Sequence, residues 1–420
     1  MLNVITLFSG YDSQALALNR LGIPYDLAAW CEIDKHAITA HNALFPQWKD
    51  RNLGDVSKVD WAEWHASHPQ PIDLLTYSSP CQDFSSAGLQ RGGEEGSGTR
   101  SGLLWETERA VRELRPRHLV FENVGGLVSD KFIDLFNRWQ ARLNTYGYTN
   151  FQQLMNAKDY GVPQNRLRIF MVSILDCQRA YYFPKPFKLE RRLKDVLEQN
   201  VEERYYLKEE SIKNLLRLNE KDYGFKFKYS EPPHDGVAST LMVTHGWRKD
   251  DNFIAEPQIA SMKSRDRDNP TGVRTANNGN FAQRLEPSAD QSTSNTITSV
   301  AKDNLLIEPQ VLGWTRDKEG NIIDRHPVSI ANCVTAGKRD NTQNFVNEGG
   351  IRIRRLTERE LYRLMDVEEK DIDTLLAAPI PRTQHAKLAG NSIVVACLYH
   401  IFRHLFVTTD PTPGTQTKLF

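Results

Sequence analysis

The 420-residue chain is poor in cysteine: Cys31, Cys81, Cys177, Cys333 and Cys397 are odd in number and widely scattered. No two stand at CxxC spacing, which argues against a disulfide framework and a zinc site, so a cysteine that matters does so as a thiol. Uninterrupted apolar runs are short as well. None approaches the ~18 residues of a membrane span, and residues 2–8 are reached without a basic leader or cleavage site, so the expected location is the cytoplasm. Net charge is missing too: 53 Lys+Arg balance 53 Asp+Glu, leaving a polyanion only a local basic face to meet. Neither a phosphate-cradling GxGxxG nor a P-loop Lys-Ser/Thr follows the first strand, which weakens a dinucleotide or nucleoside-triphosphate reading.

What is there is an ordinary globular balance, 40% hydrophobic and 25% charged, that excludes a disordered or fibrous chain. The length suggests two or three domains. Up to residue 174, β-rich runs (3–8, 25–31, 72–77, 118–121, 167–174) alternate with segments apolar at i, i+3 and i+4 (15–21, 35–44, 103–114, 131–146). That alternation predicts an α/β fold, a doubly wound, mostly parallel sheet whose ligands sit outside the carboxyl ends of the strands. Further on, 189–218 reads as a charged helical stretch, and 229–348 is rich in Asn, Thr, Ser, Gly and Asp. Three pieces there (238–254, 294–306, 331–346) read as related hairpins of a second, smaller β-rich domain, with chance similarity as the alternative. Helical pattern returns over 354–365, and 390–405 reads as one apolar helix. Residues 408–420, with two prolines, read as a disordered tail.

The strand ends carry the candidate chemistry. Phe8-Ser9-Gly10-Tyr11-Asp12-Ser13 offers a glycine for close backbone approach and an Asp12 or Ser13 able to cap the next helix. In Glu32-Ile33-Asp34 an acid can accept from ribose hydroxyls, or simply cap a helix. Together these turns suggest an adenosyl ligand without a phosphate. Ser78-Ser79-Pro80-Cys81-Gln82-Asp83-Phe84-Ser85 sets a cysteine just beyond an apolar strand and near a helix N-terminus, which favours a nucleophilic thiolate. Six glycines follow from Gly88 to Gly102, around Arg100 and before Leu103; they make a hinged loop that closes over substrate, or a disordered surface loop. Glu122-Asn123-Val124 comes after 118–121, and a glutamate crowded beside a nucleophile can serve as a proton donor. In Gln164-Asn165-Arg166-Leu167-Arg168, alternation sets Gln164, Arg166 and Arg168 on one face, with two arginines suited to an anionic or carbonyl-bearing ligand. Singly, Glu122 and the arginines read as a salt-bridge pair. Converging on Cys81, they read as catalytic.

The set resembles the DNA (cytosine-5)-methyltransferase family, in its bacterial or phage form. The family's Phe-x-Gly looks like Phe8 to Gly10, its Pro-Cys-Gln like Pro80 to Gln82, its Glu-Asn-Val like Glu122 to Val124, and its Gln-x-Arg-x-Arg like Gln164 to Arg168. Near the C-terminus Arg355-Leu356-Thr357-Glu358-Arg359-Glu360 resembles Arg-x-Leu-Thr-x-Arg-Glu, and Gly390-Asn391-Ser392-Ile393-Val394 resembles Gly-Asn-Ser-Val-Val. Two departures stand out: Gly10-Tyr11-Asp12-Ser13 replaces Gly-x-Gly-Gly, and Ser78-Ser79 replaces Gly-Phe before Pro-Cys. The resemblance implies a Rossmann-like, S-adenosylmethionine-dependent fold over 1–184 and 351–407, a target-recognition domain over 185–350, and the tail 408–420. It implies a monomeric DNA cytosine-5 methyltransferase on double-stranded DNA, of the restriction-modification kind, with a cognate restriction endonuclease as a further partner. Cys81 would add to carbon 6 of a flipped cytosine, Glu122 would act at ring nitrogen 3, and Arg166 with Arg168 would hold the carbonyl at carbon 2. Phe8, Gly10, Glu32, Asp55, Pro80, Leu103, Asn391 and Ser392 would line the cofactor site, with Glu32 on the ribose and Asp55 on the adenine amino group. Gln82, Ser85 and Arg100 would contact DNA.

The charge of 185–350 is nearly balanced, but 262–284 carries Lys263, Arg265, Arg267, Arg274 and Arg284 against Asp266 and Asp268, interleaved with Asn and Gly. That composition suits a DNA-reading loop, or a solvated one. Competing functions are an RNA cytosine methyltransferase, a nicotinamide dehydrogenase lacking its phosphate motif, and a DNA-binding protein without activity. An amino-methylating enzyme would need Asp/Asn-Pro-Pro-aromatic where Ser79-Pro80-Cys81-Gln82 stands. Gln416-Thr417-Lys418-Leu419-Phe420 resembles a bacterial sliding-clamp-binding peptide, against the simpler reading of a tail that folds back.

Overall fold

Strands buried on both faces build the frame. The computed structural model describes residues 1–79, 103–208, 235–241, 252–266, 281–287, 305–307, 312–316, 322–327 and 351–408. The chain divides into two compact units: Met1–Glu198 with His234–Asn252 and Leu356–Phe420, and Gln199–Pro233 with Phe253–Arg355. Their boundaries fall at 198/199 and 355/356, where the sequence suggested 184/185 and 350/351, and 234–252 belongs to the first unit.

In the first unit Leu2–Leu7 (β1), Tyr25–Cys31 (β2), Leu74–Tyr77 (β3), His118–Val124 (β4) and Tyr148–Asn156 (β5) precede the short Gln164–Asn165 (β6) and then Leu167–Leu175 (β7). The main sheet has the order β2-β1-β3-β4-β7-β5. Strands β2, β1, β3 and β4 pair in parallel, and β7 runs against both β4 and β5. Helices Ser13–Leu21 (α1), Lys35–Leu44 (α2), Trp61–Ser67 (α3) and Glu106–Leu114 (α4) lie between the parallel strands, and Ile133–Thr145 (α5) precedes β5. Between β5 and β7 lie only a 3-10 turn and the two-residue β6, too short a link for the crossover that parallel pairing needs. Strand β5 was not anticipated because its polar run, Thr149-Asn150-Phe151-Gln152-Gln153, hides the β pattern at the sheet's edge.

Alternation sends Ile5, Leu7, Leu75, Tyr77, Leu119 and Phe121 into a core with Trp61, Trp64, Phe136 and Trp139. The intervening Val4, Leu74 and Val120 are buried as well, which is why these strands read as unbroken apolar runs. Trp139 Nε1 donates to the Tyr77 hydroxyl at 3.0 Å, which satisfies these two polar groups inside the core.

The C-terminal segment adds Glu358–Arg363 (α6), Glu369–Ala377 (α7), Arg382–Asn391 (α8) and Val395–Phe406 (α9) to the first unit. Helix α9 packs on α1, and Arg20 of α1 pairs with Asp366 at 2.5 Å and Glu368 at 3.2 Å. The apolar run 390–405 is two helices rather than one. The break at Ser392 turns the carbonyls of Gly390 and Ser392 toward the Arg166 guanidinium, which takes both.

Two further expectations are corrected. Over 189–208 the described chain forms only one-turn 3-10 helices, Leu193–Asp195 and Glu203–Tyr205. Amides that a helix would use internally go to distant partners, Leu193 N to Gly236 O at 3.1 Å and Glu198 N to Glu360 Oε1 at 2.8 Å. Ala238–Ser239 (β8) is not part of a hairpin in the second domain, because it pairs in parallel with β6 of the first unit.

In the second unit Phe253–Asp266 (β9) pairs antiparallel with Phe281–Pro287 (β10), Leu305–Ile307 (β11) and, beyond the hairpin of Leu312–Arg316 (β12) and Ile322–Pro327 (β13), with Ile351–Arg355 (β14). The other two repeat pieces lie largely outside the described residues. Among the described residues no helix is long and apolar enough to cross a membrane.

Candidate active site at the carboxyl ends of the strands

The turn after β1 is built against backbone preference. Phe8 (φ 56°), Gly10 (φ 58°) and Asp12 (φ 67°) all adopt left-handed conformations, which cost a non-glycine residue roughly 1–2 kcal/mol. Gly10 adopts it freely; Asp12 is held by its own side chain. Its Oδ1 accepts from Ala15 N at 3.0 Å, capping α1, and its Oδ2 accepts from Thr6 Oγ1 at 2.9 Å with His41 Nε2 at 3.5 Å. Thr6, Asp12 and His41 are buried, and His41 stacks on Trp30 at 3.7 Å between ring centroids. The aspartate that stands in place of a family glycine thus keeps the turn by hydrogen bonding.

The Gly10 amide donates to Glu32 Oε2 at 3.0 Å, so it is not part of a phosphate cradle. Glu32 Oε1 accepts from the amides of Ile33 and Asp34, each at 2.8 Å, and three backbone donors therefore fix this carboxylate at the end of β2. Asp55 accepts from the Ser57 hydroxyl at 2.8 Å and the Ser57 amide at 3.1 Å, and these bonds hold its carboxyl below the usual range.

Phe8, Gly10, Glu32, Asp55, Leu103, Asn391 and Ser392 line one cavity of about 550 Å³. Pro80, the remaining residue expected there, lies outside the described residues. Lys387 escaped the sequence reading. It stands one turn before Asn391 on α8, and that i, i+4 spacing is the signal that marks it. Its Nζ donates to Asp34 Oδ2 at 2.5 Å, and both residues line the cavity. Burial alone would raise the Asp34 carboxyl; Lys387 and the first amides of α2 outweigh it and hold it below its ordinary value.

Glu122 and Asn123 lie on β4 itself, not in a turn beyond it, because the ladder with β7 continues through Glu122↔Phe170 to Val124↔Arg168. Glu122 is 5% exposed. Its Oε2 accepts from Ser78 Oγ at 2.6 Å and its Oε1 meets Arg168 Nε at 3.1 Å. Beside it, Asn123 Nδ2 donates to Ser79 O at 3.2 Å.

The two arginines, expected to aim together into a cleft, are divided. Arg168 reaches Glu122, whereas buried Arg166 donates to the carbonyls of Leu241 at 3.3 Å, Gly390 at 2.9 Å and Ser392 at 2.7 Å. Gln164 belongs with Arg166: its Nε2 donates to Leu364 O at 2.6 Å and its Oε1 accepts from Leu241 N at 3.2 Å. Arg166→Ala should leave the carbonyls of Leu241, Gly390 and Ser392 without this donor and lower stability by about 2 kcal/mol. Chemical denaturation of the full chain checks this, and an unchanged unfolding midpoint would refute it.

Among the described cysteines, Cys31 and Cys397 are buried, and burial pushes each thiol up to about 12. Cys177 lies after β7 with its Sγ donating to Arg179 O at 2.8 Å. Cys81, Gln82, Ser85, Arg100, Arg267, Arg274 and residues 416–420 lie outside the described residues. Arg265 is on β9 opposite Ala282 of β10, so the ends of 262–284 are paired strands, not loop.

The model of the family described as C-5 cytosine-specific DNA methylase matches residues 2–407. The chain is 28% identical to the orphan methyltransferase M.SPRI of Bacillus phage SPR over 97% of this chain and 98% of that one. It is 39% identical to the orphan methyltransferase M.SssI of Spiroplasma monobiae over 43% of this chain and 44% of that one. In fold it is similar to the crystal structure of the S. pombe Dnmt2 methyltransferase, with a TM-score of 0.61 at 17% identity, covering 97% of this chain and 98% of the other. With the match running through both flanks of the chain, and the strand-end acids standing in one cavity, the chain belongs to the C-5 cytosine-specific DNA methylase family and is a DNA cytosine-5 methyltransferase.

Proposed function

We propose that the chain methylates cytosine within a specific duplex sequence, after flipping the base out of the helix and bonding it to Cys81, with S-adenosylmethionine held in the cavity at the ends of β1 and β2. The observation that carries this reading is Glu122, buried between Ser78 and Arg168. Two strand-end donors on one carboxylate form a polar site suited to a ring nitrogen and its neighbouring carbonyl.

The cavity suits an adenosyl ligand. A carboxylate offers about four acceptor positions; Glu32 has three filled by amides, and the next is open to a ribose hydroxyl. Asp55, held ionised by Ser57, accepts from an amino group. Phe8, Val56, Leu103 and Leu388 give apolar walls, and the volume of about 550 Å³ lies in the range of small-molecule sites. When bound there, S-adenosylmethionine supplies an electrophilic methyl group.

The chain's own residues make the base reactive. The Cys81 thiolate forms a bond to carbon 6, and the displaced π pair moves to carbon 5, which becomes a nucleophile. Glu122 hydrogen-bonds or protonates nitrogen 3, and Arg168 holds the oxygen on carbon 2 where negative charge develops. Once carbon 5 carries the methyl group its hydrogen leaves as a proton, and the Cys81 sulfur departs with its bonding pair. Arg166 supports the site from behind by holding Gly390 and Ser392.

The second unit is assigned to target recognition. In the β9–β10 register Lys263 stands opposite Arg284, so the strand pair sets two basic positions side by side. Alanine at Arg265, Arg267 or Arg274 should relax a base preference if the residue reads a base, or weaken binding uniformly if it touches phosphate. Salt slope and site preference measured together separate these outcomes, and three variants with unaltered DNA binding would remove the segment from the interface. The orphan methyltransferases among the relatives favour action without a paired endonuclease. Bisulfite sequencing of DNA from cells expressing the chain tests the whole reading: protected cytosines should share one sequence context, and their absence would overturn it.

A further inference from the structure

Ser78 occupies the position of a glycine in the family pattern, and its side chain is engaged. Its hydroxyl donates to Glu122 Oε2 at 2.6 Å, while Arg168 Nε stands at Oε1, 3.1 Å away. A glycine at 78 would leave Oε2, on a residue only 5% exposed, without that donor. The turn itself is anchored separately, because Asn123 Nδ2 donates to Ser79 O at 3.2 Å and reaches Ser79 Oγ at 3.4 Å. Removing the Ser78 hydroxyl therefore releases Oε2 of Glu122, with Arg168 still on Oε1, without untying the strand end.

We propose that Ser78 is a positioning residue for Glu122. It holds the carboxyl by Oε2 and leaves the Oε1 side, where Arg168 stands, for the flipped base. The inference rests on the reading of Glu122 as the group that acts on the base. Ser78 also lines the cofactor cavity, so contact with the cofactor is the competing explanation.

The test uses the full chain with Ser78→Ala, Ser78→Thr, Glu122→Ala and the double variant Ser78→Ala/Glu122→Ala, assayed in single turnover at saturating DNA. Ser78→Ala should lower the rate about tenfold, the lower end for losing a group that orients a functional side chain. The KM for S-adenosylmethionine should stay within about twofold, and Ser78→Thr, which keeps the hydroxyl, should recover most of the rate. In the Glu122→Ala background Ser78→Ala should cost less than about twofold, because coupled residues are not additive. Equal losses in both backgrounds, or a changed KM at constant rate, would overturn the proposal while leaving Glu122 in its role. A Glu122→Ala variant with full turnover would overturn the reading beneath it as well.

Discussion

Cys81→Ala should abolish methyl transfer while DNA and cofactor binding persist. Carbon 5 of cytosine is a poor nucleophile until a sulfur adds at carbon 6, so loss of the attacking thiol removes the activating step. Two described alternatives, Cys31 and Cys397, are buried with thiols pushed up to about 12, and Cys177 follows the end of β7 that pairs with the start of β4, away from the strands' carboxyl ends. A duplex carrying 5-fluorocytosine tests the assignment directly. Fluorine cannot leave carbon 5 as a proton does, so the adduct with wild-type enzyme is trapped and survives denaturing electrophoresis. Cys31→Ala, Cys177→Ala and Cys397→Ala should keep the adduct. Its retention by Cys81→Ala would sink the assignment.

Turnover in Glu122→Gln should fall by ~100-fold or more, the scale for losing a general acid. Glutamine keeps the size and can still accept from Ser78, but it cannot deliver a carboxyl proton and carries no charge to pair with Arg168. Affinity for S-adenosylmethionine should stay near wild type, since Glu122 does not line the cavity. Steady-state kinetics with both substrates varied give the answer. Weakened cofactor binding at unchanged turnover would move Glu122 from the base to the cofactor.

Much of the first unit was legible because its signals are local. The run 25–31 became β2 and 35–44 became α2 at the predicted bounds, since each carries its own apolar pattern and Asp34 caps the helix beside it. Glu32 stands out locally as an acid at a strand end, a position that faces the ligand crevice, whereas Asp55 came only with the family resemblance. The edge strand β5 was missed where the pattern itself is weak.

By residue type and order alone, the sequence determined the alternating α/β frame and the family resemblance, because strand periodicity and strand-end motifs are properties of contiguous residues. Tertiary structure alone decided which of two equivalent-looking arginines meets Glu122. Arg166 is taken by carbonyls from residues 390 and 392, more than two hundred positions away, while Arg168 is left beside the glutamate. It also decided that Ser13 meets Ser392 at 2.5 Å, that Lys387 closes on Asp34, and that Asp12 keeps a glycine's conformation through Thr6 and His41. A hydrogen-bond donor has a few fixed directions, and which acceptors lie along them depends on how distant segments pack.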